Sequence, residues 1–222
     1  MNKQEDQLNL NYSALATLYD TLMKDVDYES WADYIDEIIQ THHPTAEFLH
    51  ELACGTGSVA LSLDELGYYT IDASDISREM LDVAIHKSAR QDSGVNFFPL
   101  SFQRLNIDES YDVIYSVFDS ISYRTEAEEI TTFLEQAVKL LNEDGLLIFD
   151  FATPKNSLES VDDLDNDHEE IGHYRFFRKS SFDIKRHLHY NHFEIERLDP
   201  DSKKVKESFR EVHCQRVYTL DE

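Results

Sequence analysis

The chain has 222 residues, with 45 acids against 20 bases and a formal charge of −25. A 41% hydrophobic share is enough to build a core and excludes disorder for most of the chain. The acid excess argues against DNA, RNA or anionic membrane as a partner, since phosphate binding needs clustered Lys and Arg, and no apolar run approaches the length of a membrane-spanning helix.

The first forty residues read as helix, because Leu15, Leu18, Leu22 and then Trp31, Tyr34, Ile35 and Ile38 recur at three- and four-residue spacing. Pro44 ends that region. Residues 46–53 read as a buried strand, followed by the Gly55-Thr56-Gly57 turn and a helix over 59–66 that stops at Gly67. Residues 68–74 are β-rich, 77–90 form an amphipathic helix, and 95–100 a short strand. The pattern then repeats, with a strand over 111–118, a helix over 126–141 and a strand over 146–151. Five strands alternating with helices predict a Rossmann-like, doubly wound α/β fold with five parallel strands in order 3-2-1-4-5.

The composition changes near residue 170. Residues 1–170 hold 36 acids and 9 bases, whereas 171–222 hold 9 acids and 11 bases. Residues 159–170 are rich in acids, with Leu164 as the main apolar residue, and read as an exposed loop or frayed helix. Residues 172–181, 184–198 and 205–220 read as a three-stranded antiparallel meander appended to the parallel sheet. His187, His189 and His192 do not share one strand face and lack a completing ligand pair, so they read as a solvated face with no metal. Two cysteines and a polar, acidic start predict a cytoplasmic protein without a leader.

The chemistry concentrates at Glu51-Leu-Ala53-Cys54-Gly55-Thr56-Gly57, between a strand and a helix. Glycines there let the backbone approach a ligand, and Asp75, at the end of the next strand, is placed to accept the hydroxyls of a ribose. Two ligand classes fit: the same residues satisfy the G-x-G-x-x-G/A dinucleotide fingerprint, so spacing alone leaves NAD open. Three features favour another cofactor. Glu51 would meet an ammonium group and repel a pyrophosphate, a helical segment precedes the first strand, and no second catalytic domain offers a hydride acceptor.

The ordered motifs Tyr12–Asp20, Asp27–Trp31, Glu51–Gly57, Asp75–Leu81, Phe118–Tyr123, Phe149–Phe151 and Glu211–Tyr218 resemble those of class I S-adenosylmethionine-dependent methyltransferases of the small bacterial type. The resemblance implies that Glu51 and the backbone of Ala53, Cys54, Gly55, Thr56 and Gly57 hold the methionine part of S-adenosyl-L-methionine. It implies that Asp75 binds the ribose, with Ile76, Met80, Ser101 and Phe102 around the adenine. Ser101 stands where the family usually has Asp, and Ala53 where it usually has Gly.

Val117, Phe118, Asp119 and Ser120 leave the fourth strand at its C-terminal edge, where open α/β sheets bind ligands. Asp119, Tyr123 and His213 are the candidate catalytic residues; Glu211 and His213 share a strand face, whereas His213 and Tyr218 do not. Tyr12 and Tyr19 are candidates for a lid whose aromatic faces suit a sulfonium, while Trp31 reads as packing. The resulting expectation is a helical lid over 1–45, a cofactor core over 46–155 and an acceptor-side elaboration over 156–222. The family's usual final β-hairpin is expected to be missing and a homodimer to form along an open edge. The acceptor is expected to be a small molecule or a protein. An NAD-linked oxidoreductase and a non-catalytic cofactor-binding protein stand as the alternatives.

Overall fold

The computed structural model describes Tyr12 and residues 15–222. The helical reading of residues 1–11, 13 and 14 lies outside the described residues.

Helix α1 (Ala16–Leu22) precedes α2 (Tyr28–His42), whose first turn is capped by the Asp27 carboxylate accepting the Ser30 N–H at 3.0 Å. Strands β1 (Phe48–Leu52), β2 (Thr70–Asp75) and β3 (Asn96–Pro99) alternate with α3 (Ser58–Asp64) and α4 (Arg78–Gln91). The Ser77 hydroxyl caps α4 by accepting the Met80 N–H. Strand β4 (Tyr111–Ser116) leads through a 3₁₀ turn (Ser120–Tyr123) into α5 (Ala127–Leu140) and β5 (Leu141–Phe149). All five strands pair in parallel, in the order β3-β2-β1-β4-β5. The order reverses between β1 and β4, which opens a crevice beyond their C-terminal ends.

Alternating side chains of each strand feed two cores. Leu49 joins Ile35, Ile39 and Leu63 of α2 and α3 on one face, and Leu52 and Ile114 join Phe133 and Ala137 of α5 on the other. Each such large side chain gains roughly 1.5–3 kcal/mol from burial.

After β5 the chain forms α6 (Pro154–Leu164), with Thr153 as cap and proline in the first turn. A second, antiparallel sheet follows: β6 (Asp167–Ile171), β7 (Tyr174–Asp183), β8 (Leu188–Leu198) and β9 (Val205–Arg216). Helix α1 lies on this sheet, where Leu15 and Leu18 pack with Phe176, Phe193 and Ile195.

Four features differ from the sequence reading. The acidic segment 159–170 is ordered as the second half of α6 and as β6, because Asp167 meets Arg178 at 2.8 Å and Glu170 meets Arg175 at 2.9 Å across the strands. The meander therefore has four strands, not three. It forms its own sheet and does not extend the parallel one. The last strand stops at Arg216; Tyr218 then ties back to the core, its N–H donating to the Ala152 carbonyl and its hydroxyl to that of Arg124. His189 is buried, not solvated: it bonds the Ser180 hydroxyl at 2.7 Å, and burial lowers its pKa.

Candidate active site

Between β1 and α3 the backbone turns through left-handed residues at Ala53 (φ 55°), Gly55 (φ 54°) and Gly57 (φ 74°). At Gly57 a Cβ would lie 2.7 Å from the Phe97 ring, so only glycine fits. At Gly55 it would meet nothing within 4 Å, so the loop is open on that side. Ala53 holds a conformation that costs an L-residue about 1–2 kcal/mol, which marks the place of the usual glycine.

Two buried acids flank this turn. Asp75, at the end of β2, accepts the Gly55 N–H at 2.8 Å with one oxygen and the Ser77 N–H at 2.8 Å with the other. Burial raises its pKa against the pull of these bonds. Glu51, in β1, accepts from the Tyr115 hydroxyl at 3.3 Å, and burial pushes its carboxyl up to about 8. A cation brought beside Glu51 would return it to the ionised form.

The acids open into a cleft with a cavity volume of about 110 Å³. Its walls are aromatic: Tyr12 before α1, Tyr19 of α1, Tyr28 of α2, Phe102 after β3 and Phe118 after β4. Helix α1 is latched over the glycine turn by Asp20, which accepts from Thr56 Oγ1 at 2.6 Å and from Lys87 Nζ at 2.9 Å. Its start is held by Glu211 of β9, whose carboxylate accepts the Tyr12 and Leu15 N–H groups at 2.7 and 3.2 Å.

The turn after β4 carries two successive non-glycine residues in the left-handed region, Phe118 (φ 61°) and Asp119 (φ 57°). The Asp150 carboxylate accepts both of their N–H groups, at 3.0 and 2.9 Å, and stabilises this uncommon conformation. Burial, with the charge of Asp150, raises the Asp119 pKa to about 6. Tyr123, in the 3₁₀ turn, meets Tyr12 Oη and His213 Nδ1, each at 2.7 Å.

Residues 50–145, which carry the glycine turn and both acids, match the family model for a methyltransferase domain. A provisionally named methyltransferase of Geobacillus sp. (strain WCH70) is 30% identical over 142 residues, 64% of this chain and 57% of that one. The chain thus spans little more than half the length of that relative. The crystal structure of an S-adenosylmethionine-dependent methyltransferase from Clostridium acetobutylicum matches with a TM-score of 0.75 and 25% identity, covering 95% of this chain and 83% of that one. Residues 50–145 thus carry a methyltransferase domain, and the chain has the fold of S-adenosylmethionine-dependent methyltransferases. The sugar N-methyltransferase KedS8 from Streptoalloteichus shares the fold, with a TM-score of 0.72 and 18% identity over 91% of this chain and 79% of that one.

The methyltransferase cofactor carries an ammonium, a sulfonium, a ribose diol and an adenine. The cleft offers a group for each: Glu51 for the ammonium, aromatic faces for the sulfonium, Asp75 for the diol, and Ile76, Met80 and Phe102 as an apolar bed. Ala53, Cys54, Thr56 and Val117 also line the cleft, as does Tyr123.

Four predicted residues do not line it. Gly57 shapes the turn from behind. Ser101 does not line the cleft, and its hydroxyl accepts the Gln103 N–H of its own loop at 3.2 Å. Asp119 does not line the cleft, whereas its neighbours Phe118 and Ser120 do. His213 sits behind the two tyrosines. Sequence reading missed Tyr28, Ser58, Val59, Ser120 and Arg124 as wall residues. Tyr28 and Ser120 lay within quoted motifs, and Ser58 opens the helix after the glycine turn, so position alone could have flagged these three.

Proposed function

We propose that this protein transfers a methyl group from S-adenosyl-L-methionine to a small-molecule acceptor by in-line displacement. The observation that carries the reading is the pair of buried acids, Glu51 and Asp75, flanking a left-handed glycine turn in one aromatic cleft. The bound cofactor would supply an activated methyl group. Glu51 and Asp75 would fix the two ends of the cofactor, and the tyrosines and Phe118 would exclude water from the reacting atoms. The sugar substrate named for KedS8 supports a small acceptor, and the charge of −25 disfavours a polyanionic one. Isothermal calorimetry with S-adenosylhomocysteine and with NAD(H) tests the reading: binding of NAD(H) alone would sink it. Radiolabelled methyl transfer into fractions of cell extract would identify the acceptor and separate an enzyme from a non-catalytic binder.

The working division is a lid over 1–45, a cofactor core over 46–155 and an acceptor-side element over 156–222. Among the described strands β5 pairs with β4 alone, and the same reading extends to a homodimer along that edge; sedimentation at monomer mass would remove it. No described helix is long and apolar enough to cross a membrane, and two free cysteines agree with a cytoplasmic setting. Tyr123 and His213 are the proposed catalytic unit. Asp119, outside the cleft wall, is proposed only to tune that unit through its charge.

A further inference from the structure

Four side chains from three separated parts of the chain form one hydrogen-bonded line from the cleft wall into the antiparallel sheet. Tyr12 Oη lies 2.7 Å from Tyr123 Oη, Tyr123 Oη lies 2.7 Å from His213 Nδ1, and His213 Nε2 lies 3.1 Å from Glu211 Oε2. Tyr12 and Tyr123 line the cleft, whereas His213 and Glu211 are only 2% and 6% exposed. The same Oε2 accepts the Tyr12 N–H.

For a neutral His213 the direction of this line follows from donor counting. Glu211 accepts backbone N–H groups on both oxygens, the arrangement of an ionised carboxylate. Its third partner, His213 Nε2, must then carry a proton. A neutral imidazole leaves Nδ1 as an acceptor, so Tyr123 donates to it. Tyr123 has a single proton, so its oxygen accepts from Tyr12. The line ends with the lone pairs of the Tyr12 oxygen, on a residue of the cleft wall.

We propose that Glu211, His213, Tyr123 and Tyr12 form a directed proton relay that takes the proton an acceptor gives up on methylation. The proposal rests on the methyltransferase reading, and it narrows the acceptor to a nucleophile bearing a dissociable proton, an N–H or an O–H. As the acceptor's lone pair forms the bond to the methyl carbon, the carbon–sulfur bond breaks and its electron pair stays on sulfur. The acceptor's proton passes to the Tyr12 oxygen, the Tyr12 proton to Tyr123, and the Tyr123 proton to His213 Nδ1. The positive charge lost from sulfur ends on an imidazolium beside the Glu211 carboxylate. Glu211 touches no reacting atom and is a positioning residue: it fixes the tautomer and meets the charge that arrives. The phenols of Tyr12 and Tyr123 are held protonated by burial, so each passes a proton on without resting as a phenolate.

The groups facing His213 are Glu211 on its own strand, Tyr123 from the 3₁₀ turn, the Tyr12 ring from the segment before α1 and the Phe193 ring from β8. Protonating His213 in advance would make Nδ1 a donor, reverse the line and block the relay. A clamp that merely pins the lid to the sheet would work in either direction, whereas a relay works in one.

The test is ¹⁵N NMR of the histidine rings in the full chain loaded with S-adenosylhomocysteine, at about pH 8. The relay predicts a neutral His213 with the proton on Nε2. If S-adenosylhomocysteine binds but His213 is the Nδ1–H tautomer or an imidazolium, the relay is overturned and the methyltransferase reading stands. If S-adenosylhomocysteine does not bind, the reading beneath it falls. In Glu211→Gln the tautomer ratio should move toward Nδ1–H by about tenfold or more; an unchanged ratio would remove Glu211 from the relay. The wild-type measurement decides the direction even if that variant fails to fold.

Discussion

The parallel sheet buries Leu49, Ile71, Val113 and Ile114 almost completely, whereas residues 205–210 of β9 are exposed along their whole length. The first sheet is covered by helices and held by apolar contact. The second is laced by surface ion pairs, such as Arg175–Glu196, Arg197–Glu207 and Arg210–Glu194. Yet the exposed sheet sends two buried polar residues, Glu211 and His213, towards the cleft. Stability and site construction are therefore divided: the parallel sheet supplies most of the burial, and the antiparallel sheet supplies the residues that back the Tyr12 and Tyr123 wall of the cleft.

The sharpest way to break this contrast is to delete core volume. Phe133→Ala in α5 should cost about 3–5 kcal/mol in urea unfolding; a loss under 1 would mean the parallel sheet is not the main reserve. The next effect is a pH dependence. Burial raises the Glu51 pKa from 4.5 to about 8. The contribution of the protonated form is complete below the unfolded value and is lost as pH rises through the folded one. Unliganded protein should thus lose stability between those two values, by on the order of a few kcal/mol relative to Glu51→Gln. A cation bound at Glu51 should release a proton, visible as a buffer-dependent calorimetric enthalpy of S-adenosylmethionine binding near pH 7.

Asp75→Ala should weaken S-adenosylhomocysteine binding by about 2–3 kcal/mol, since it removes charge-assisted bonds to the ligand and to the Gly55 amide. Full affinity would assign the ribose to another acid. Glu211→Ala should cost about 1–2 kcal/mol through the unsatisfied Tyr12 and Leu15 amides. Hydrogen exchange should quicken in α1 and stay unchanged in β1 and β4. The smallest effect belongs to the surface: Arg197→Ala should change stability by less than about 1 kcal/mol, and a larger loss would show that the ion pairs carry more than the exposed sheet suggests.

The parallel fold was legible because each element announced itself locally. Strand β1 runs into glycines, α4 opens at Ser77, and α5 shows its apolar period within one residue of the observed ends. The acids Glu51 and Asp75 were legible for the same reason, since each ends a buried strand beside the turn. Strand β6 was not legible. Its acids acquire partners only when β7 brings Arg175 and Arg178 alongside, a tertiary fact that no local pattern carries. The shared face of Glu211 and His213 could be read from strand period. That this face turns inward could not, because burial in β9 depends on α1 and the 3₁₀ turn arriving from elsewhere. The left-handed turn at Phe118 and Asp119, in which Phe118 and Ser120 line the cleft and Asp119 does not, is nothing that the sequence announces.

The bond from Glu211 to the start of α1 joins positions 196 and 199 residues apart. On the ribosome the elements of the parallel sheet, residues 48–149, are all made before β9 exists. They can close first, through contacts of shorter sequence separation. Helix α1, made before the parallel sheet, waits for β9 before its first amides are held. The crevice beyond β1 and β4 therefore lacks this tie to α1 until β9 has been made.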